Sequence, residues 1–296
     1  MFVNACFEAK NGKMKRHSGR LKSKPHYTKI YKMEIGISTA TLFGRLYNED
    51  ALPLLERLDS RVCEVFLETY CEYTESFANL LKSRLGGLKV HSIHTLNTHF
   101  EPQLFSPCDR TRNDAVEIFE NCLKAGKILG AQNYTMHGKA KFKKGVVYND
   151  YEQIGMYMNE LTLLAEKYGI NVCLENVEWA FYDRPGFYSK IKKYAPKLCA
   201  TLDVKQARVS GFDYKEYLEE TGDGLKTVHL SDIDENGKTA LPKKGGYFDF
   251  EELFRLLKHN GFNGNCLIEV YKENYADYDE LACSLAYLRE IKEKIF

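Results

Sequence analysis

What this 296-residue chain lacks narrows its reading before any motif is considered. It has no apolar run approaching the roughly 18 residues that a membrane span needs, so no spanning helix is expected. Its nine cysteines include no CxxC pair, and no secretory signal is visible. Cys173, Cys199 and Cys266 lie inside apolar runs. That is the pattern of reduced core thiols in a cytoplasmic protein, not of a disulfide framework or a redox motif. No GxGxxG or phosphate-binding loop follows an early strand, which disfavours a doubly wound nucleotide-binding sheet. After Met33 there is no Pro/Ser-rich linker and no low-complexity tract. With 44% hydrophobic residues, the chain suits one large α/β domain.

An excess of either sign of charge is lacking as well, with a formal net of +1. The balance is uneven along the chain. Residues 1–32 carry nine Lys/Arg against Glu8 alone, a net of +8, which leaves −7 for the rest. Such an arm can grip nucleic acid or anionic lipid. It has no apolar periodicity, however, and the first strand begins directly behind it. Residues 1–32 are therefore expected to be a basic, disordered extension or a leader ahead of a start at Met33, and residues 33–296 the folded domain. The acidic body makes nucleic acid an unfavoured partner.

From Met33 onward short apolar runs alternate with longer amphipathic ones. Strands are expected at 34–38, 63–67, 89–93, 133–136, 170–174, 198–202, 226–230 and 265–270. Helical patterns fall near 48–59, 75–85, 110–129, 149–168, 185–194, 213–221, 249–260 and 277–294. In the third of these, Ala115, Ile118, Phe119, Cys122, Leu123 and Ala125 form one stripe, with Asp109 placed to cap the start and Gly130 the end. Gly169 and Gly261 repeat the stop signal, each just before a strand. Eight strands alternating with eight helices over about 260 residues predict a single (β/α)8 TIM barrel.

Four successive apolar runs end in polar groups: NVCLE in Glu175, LCATLD in Asp203, LKTVH in His229 and NCLIE in Glu269. Asp, Glu and His fill about one position in six, so four such endings in a row arise by chance roughly once in a thousand chains. Buried strands seldom end in ionised groups unless something pairs with them or a cation binds. In a barrel, parallel strands deliver their C-terminal ends to one mouth, where these four would meet. One imidazole and three carboxylates make a hard, anionic donor set. It suits one divalent ion, Mn²⁺ first, with Mg²⁺, Zn²⁺, Fe²⁺ and Co²⁺ as alternatives. Earlier strands add Glu68 in VFLETY, His91 and His94 in KVHSIHTLN, and His137 in YTMHG. His94 and His137 are candidates for a second metal half-site sharing Glu175, or for hydrogen bonds to substrate. His91 alternates with the inward positions and reads as structural.

The segments LENVEWA, TLDVKQARVSG, TVHLSDIDENGK, LPKKGGYFDF and CLIEVY resemble the xylose isomerase-like TIM barrels over about residues 33–294. That superfamily holds sugar phosphate isomerases and epimerases and the related apurinic-site endonucleases. In its ketose 3-epimerase branch the resemblance implies metal ligands at Glu175, Asp203, His229 and Glu269. The two glutamates are also the implied proton-transfer pair. In the endonuclease branch, first-metal ligands map onto His94, His137 and Glu175. The third zinc of that branch needs a His where Gln206 stands and an Asp-x-His in the loop 236–247, and neither is present. The epimerase branch often has a His at the Gln206 position too.

The implied reaction moves a proton next to a sugar carbonyl. The metal would act as Lewis acid on the carbonyl and neighbouring hydroxyl, and Glu175 and Glu269 as the proton carriers. Gln206, Glu68, His94 and His137 would orient hydroxyls, Trp179 would cover a sugar face, and Pro242–Gly246 would shape the pocket. A substrate phosphate or carboxylate would find Lys139, Lys141, Lys143 and Lys144 after the fourth strand, or Lys205 and Arg208 beside Gln206. The expected partner is a small carbohydrate, and a homo-oligomer is compatible with the sequence. Two other readings remain: a zinc-dependent phosphodiesterase acting on abasic DNA, and a non-catalytic sugar-binding barrel.

Overall fold

The apolar runs form strands that are buried on both faces, as parallel strands with helices outside must be. A computed structural model describes residues 33–141 and 150–296. Strands β1 (Ile35–Ser38), β2 (Val62–Leu67), β3 (Lys89–Thr95), β4 (Asn133–Met136), β5 (Asn171–Glu175), β6 (Cys199–Asp203), β7 (Leu225–Leu230) and β10 (Asn265–Ile268) close into a barrel. Its order is β1-β10-β7-β6-β5-β4-β3-β2, and every pairing is parallel. A two-stranded antiparallel sheet, β8 (Asp232–Ile233) with β9 (Thr239–Ala240), follows β7. The predicted (β/α)8 barrel is the observed fold, with each barrel strand starting and ending within two residues of expectation.

Helices α1 (Asn48–Arg57), α2 (Glu75–Arg84), α3 (Asp109–Leu129), α4 (Tyr151–Glu166) and α5 (Phe187–Lys192) follow the first five strands. Helices α6 (Val204–Ser210), α7 (Tyr214–Thr221), α8 (Phe250–His259) and α9 (Tyr278–Ile295) complete the outer layer among the described residues. The periodicity of α3 puts Ala115, Phe119, Cys122, Leu123 and Leu129 in the core. Gly126 lets that helix approach β3, since a Cβ there would lie 2.7 Å from Ile93 Cδ1. Gly130 ends it at φ 81°, in the left-handed region that glycine enters without penalty. Asp109 is not the cap. The chain is still extended at Cys108, which takes the N-cap place, and Asp109 begins the helix and accepts from Arg112 instead. Helix α6 is an addition to the expected set, and Asp203 supplies its cap by accepting from the Gln206 N–H.

The barrel interior departs from the usual layers of Val, Ile and Leu. Its middle layer is polar and centred on Glu64 of β2, which is fully buried. Glu64 Oε1 accepts from Ser38, and Oε2 from Ser92 and Thr135 at 2.7 and 2.8 Å. Toward the N-terminal end lies His91. A register shift between Cys63 and Glu64 makes β3 bulge opposite, so His91 does not face outward in alternation with Ser92. Its ring enters the barrel, where Thr227, the Lys226 carbonyl and Asn265 meet its two nitrogens. The expected structural role holds with the opposite facing. Burial pushes the His91 pKa down to about 4. Residues 1–32, Lys143 and Lys144 fall outside the described residues.

Candidate metal centre

At the C-terminal mouth the four strand-end groups come together. Glu175 and Asp203 are the last residues of β5 and β6, His229 is the penultimate residue of β7, and Glu269 directly follows β10. One donor atom from each lies within 4.8 Å of all the others. His229 Nδ1 stands 3.1 Å from Glu175 Oε1 and 3.3 Å from Glu269 Oε2. Glu175 Oε2, Asp203 Oδ2 and Glu269 Oε2 are buried and accept no well-formed hydrogen bond from a described residue. The short separations to His137, Lys205 and His229 at these oxygens are charge contacts of poor hydrogen-bond geometry. Three buried, under-satisfied carboxylate oxygens in one cluster are costly without a cation. Ligands about 2.1 Å from a common ion lie roughly 3–4 Å apart, and the two His229 separations of 3.1 and 3.3 Å fall in that range. The residues therefore fit a divalent ion.

A second set shares Glu175. His94 Nε2, near the end of β3, is 3.1 Å from His137 Nε2, and the latter is 3.2 Å from Glu175 Oε2. The three also offer donor atoms within 4.8 Å of one another. The two oxygens of Glu175 thus point to two histidine groups, one on each side.

Two carboxylates that the strand-end pattern overlooked stand behind these histidines. Glu64 Oε1 lies 3.1 Å from His229 Nε2 and 3.9 Å from His94 Nδ1. Glu101 Oε2 lies 3.9 Å from His137 Nδ1. Burial alone would raise the Glu64 pKa, but the His229 charge and hydrogen bond, then His94 and Ser92, hold it well below the usual carboxylate range. Glu101 sits in a short 3-10 turn (Glu101–Phe105) and is fully buried. It accepts from Thr95, Tyr134, Asn97 and the backbone N–H groups of His137 and Gly138. Burial pushes its pKa up against the hydrogen bonds of Asn97, Tyr134 and Gly138. A carboxylate behind a ligating histidine fixes the ring and the tautomer that presents its other nitrogen. A Glu inside the apolar run VCEVFL was the available signal for Glu64. Glu101 had none, because its donors come from β3, β4 and the turns after them.

Charge in the cluster shifts the other groups. Burial raises Glu175 to about 7, partly opposed by His229. His229 is raised well above its ordinary value; burial would lower it, but Glu269, Glu64 and Glu175 prevail. Burial, with the charges of His94 and His229, pushes His137 far down.

The remaining candidates divide. Lys205, 4% exposed, stands 3.4 Å from Asp203 Oδ2 and belongs to the site. Trp179 tilts against the His137 ring at 4.9 Å between centroids. Gln206 turns its side-chain oxygen to the backbone N–H of Glu178 at 3.2 Å. Glu68 lies past β2 in a separate rim cavity of about 350 Å³ with Phe43, Arg45, Tyr47 and Asp50; burial, Glu72 and Glu49 raise it to about 7. Lys141 is paired with Asp183 at 2.5 Å, Arg208 donates to the Gly237 carbonyl, and Lys139 lines a cavity with Phe105 and Tyr157. None of these last three is drawn into the cluster. Asp232, buried after β7, holds the backbone N–H groups of Tyr247 and Phe248 and so fixes the end of the LPKKGGYF loop.

Fold and cluster together define a parallel (β/α)8 barrel with a carboxylate-rich candidate cation site at its mouth. The chain belongs to the xylose isomerase-like TIM barrel family, whose model matches residues 50–291. No curated protein matches by sequence. Among solved structures, D-psicose 3-epimerase from Clostridium cellulolyticum H10 superposes with a TM-score of 0.73 at 16% identity, covering 89% of this chain and 99% of that one. The 3-keto-D-glucoside 4-epimerase YcjR from E. coli gives 0.70 at 16%, covering 88% and 100%. The IOLI protein, described with a bound zinc atom, gives 0.72 at 16%, covering 89% and 99%. These structural neighbours are sugar epimerases and a related barrel. No helix among the described residues is long and apolar enough to cross a membrane.

Proposed function

We propose that the protein is a divalent-metal-dependent isomerase or epimerase of a ketose, a ketose phosphate or a related polyol ketone. The observation that carries the reading is the placement of Glu175 and Glu269. They come from β5 and from the end of β10, flank His229 Nδ1 at 3.1 and 3.3 Å, and each keeps a buried oxygen without a donor. Two carboxylates from different strands beside one small space suit removal of a proton from a substrate by one and its return by the other.

Glu175, Asp203, His229 and Glu269 would hold the ion, which when bound supplies Lewis-acid polarisation of the substrate carbonyl. Glu64, 3.1 Å from His229 Nε2, and Glu101, 3.9 Å from His137 Nδ1, put carboxylates behind the two rings. One of Glu175 and Glu269 takes the proton next to the carbonyl, leaving an enediolate, and the other delivers a proton to the opposite face or the neighbouring carbon. Trp179 covers the mouth beside His137. The test is incubation of a panel of ketoses and ketose phosphates with the protein and Mn²⁺ in D₂O, followed by NMR. Solvent deuterium entering a C–H position supports the reading, and no exchange into any of them ends it.

One observation favours a second reading, a zinc-dependent phosphodiesterase for abasic DNA: the His94, His137 and Glu175 donors are assembled as a further half-site. Gln206 weighs against it, since a neutral amide is a poor zinc ligand and its oxygen is already bonded to Glu178. Incision of abasic duplex DNA, abolished by chelator, would establish it. Binding of sugar without hydrogen exchange would instead mark a non-catalytic barrel.

A further inference from the structure

Lys205 stands in the first turn of α6, two residues past Asp203, with 4% of its side chain exposed. A lysine gives up water to this degree only where anions replace it. Here the cluster itself provides them. Nζ lies 3.4 Å from Asp203 Oδ2, 4.0 Å from Glu269 Oε1 and 4.6 Å from the centre of the Tyr271 ring. Neither carboxylate contact has the length of a charge-assisted hydrogen bond, and Asp203 Oδ2 has no hydrogen-bond donor among the described residues. The ammonium is therefore held by the field of its neighbours, with its N–H groups left to serve another acceptor. Among the described residues, Lys205 is also the sole lysine or arginine within 4.0 Å of the four ligands.

Charge counting shows what that acceptor is. Glu175, Asp203 and Glu269 bring three negative charges and Glu64, 3.1 Å behind His229, a fourth, so a divalent ion with a neutral His229 still leaves the centre negative before Lys205 is counted. Proton removal by a glutamate then puts new negative charge on the substrate oxygens. A site of this kind works by having positive charge fixed in advance where negative charge develops. We propose that Lys205 is a second, fixed cation of the reaction centre, donating a hydrogen bond to the substrate oxygen that becomes anionic in the enediolate. This rests on the isomerase or epimerase reading. It also assigns to Lys205 a role different from gripping a substrate phosphate, because the ammonium stands among the ligand carboxylates, 3.4 Å from Asp203 Oδ2, and not on the rim. The same placement has a cost at the metal: a positive charge beside Asp203 and Glu269 repels a divalent ion.

Lys205→Met should therefore move two quantities in opposite directions, which a merely structural lysine would not do. In calorimetric titration of the full chain with Mn²⁺, the variant should bind the ion about tenfold or more tightly than wild type. In the Mn²⁺-loaded chain it should bind a four-carbon aldonohydroxamate, whose ionised form spreads one negative charge over two neighbouring oxygens, at least roughly 30-fold more weakly. Affinity for uncharged xylitol should change by less than about threefold, and Lys205→Arg should restore most of the hydroxamate affinity. Lys205→Gln serves the same comparison if the methionine variant does not fold. Unchanged or weaker Mn²⁺ binding in the folded variants, or hydroxamate affinity retained, overturns the proposal. Absence of deuterium exchange by wild type would remove the isomerase reading, while the metal and hydroxamate titrations still decide whether Lys205 supports an oxyanion.

Discussion

Replacing Glu64 by glutamine changes one oxygen to an amide inside the barrel and leaves volume and shape nearly intact. In the wild type both oxygens only accept: from Ser38 on one side, from Ser92 and Thr135 on the other, with His229 Nε2 at 3.1 Å. His229 must carry its proton on Nε2 for Nδ1 to face Glu175 and Glu269 as a free donor atom. An amide NH₂ turned toward Nε2 favours the other tautomer, with the proton on Nδ1, and closes that atom to a cation. If the amide turns its oxygen to His229, the NH₂ must satisfy Ser92 and Thr135, and the negative charge is lost in either case. Loss of a carboxylate behind a ligating histidine costs 10–100-fold in metal affinity, about 1.4–2.7 kcal/mol. Glu64→Gln should therefore bind Mn²⁺ 10–100-fold more weakly by calorimetry, with a circular dichroism spectrum like that of wild type. Glu64→Ala should also unfold at lower temperature, because it strands the Ser38, Ser92 and Thr135 hydroxyls, each worth about 1–3 kcal/mol when buried unmatched. Mn²⁺ affinity of Glu64→Gln within threefold of wild type would refute the reasoning that Glu64 sets the His229 tautomer.

The remaining expectations concern turnover, stoichiometry and pH. Glu175→Gln and Glu269→Gln should each reduce deuterium exchange by at least about 100-fold while the thermal midpoint stays high, and activity retained in both would remove them from proton transfer. Metal analysis of the purified chain should give one divalent ion from the Glu175, Asp203, His229 and Glu269 set; two would add the His94 and His137 half-site. For His91 the folded pKa lies at about 4, below the usual 6.5, so between these values the unfolded chain binds the proton and the fold does not. The contribution is complete above pH 6.5 and is lost as pH falls toward 4. It amounts to about 3 kcal/mol of unfolding free energy, measurable by urea titration at pH 7 and pH 4. Carboxylates titrate in part of this window too, so the comparison is with His91→Gln, whose stability should vary less by that amount.

Apolar runs separated by glycine stops and amphipathic stretches were enough to read the barrel. Both signals are local: strand burial on two faces, and a left-handed glycine such as Gly130 after a helix. The metal-centre residues were legible for a related reason. Parallel closure converts the rule "polar group at a strand end" into proximity, and Glu175, Asp203, His229 and Glu269 obey it. What escaped the sequence depends on register or on distant partners. His91 turns inward because of a bulge opposite Cys63 and Glu64, which no alternation pattern encodes. Glu64 sits mid-strand, where the strand-end rule does not look, and Glu101 is defined by donors spread from Thr95 to Gly138. Helix α6 was missed because it begins directly at the strand end, where Asp203 serves as both last strand residue and cap. The basic residues were the least legible: whether Lys141 and Arg208 meet an incoming anion or a neighbour of their own depends on Asp183 and the Gly237 carbonyl.

The double duty of Asp203 has a consequence for which ions the mouth can select. Its Oδ1 is committed to the Gln206 N–H at 2.9 Å, so a single oxygen is left to offer, and Glu175 likewise divides its two oxygens between His229 and His137. Asp203 would therefore meet an ion through Oδ2 alone. Calcium, which gathers six to eight oxygens and favours two-handed grips, would find one carboxylate fewer to grip that way. A smaller ion that is content with four protein atoms keeps its remaining positions for water or sugar hydroxyls, so a turn of helix that needed a cap also screens the metal.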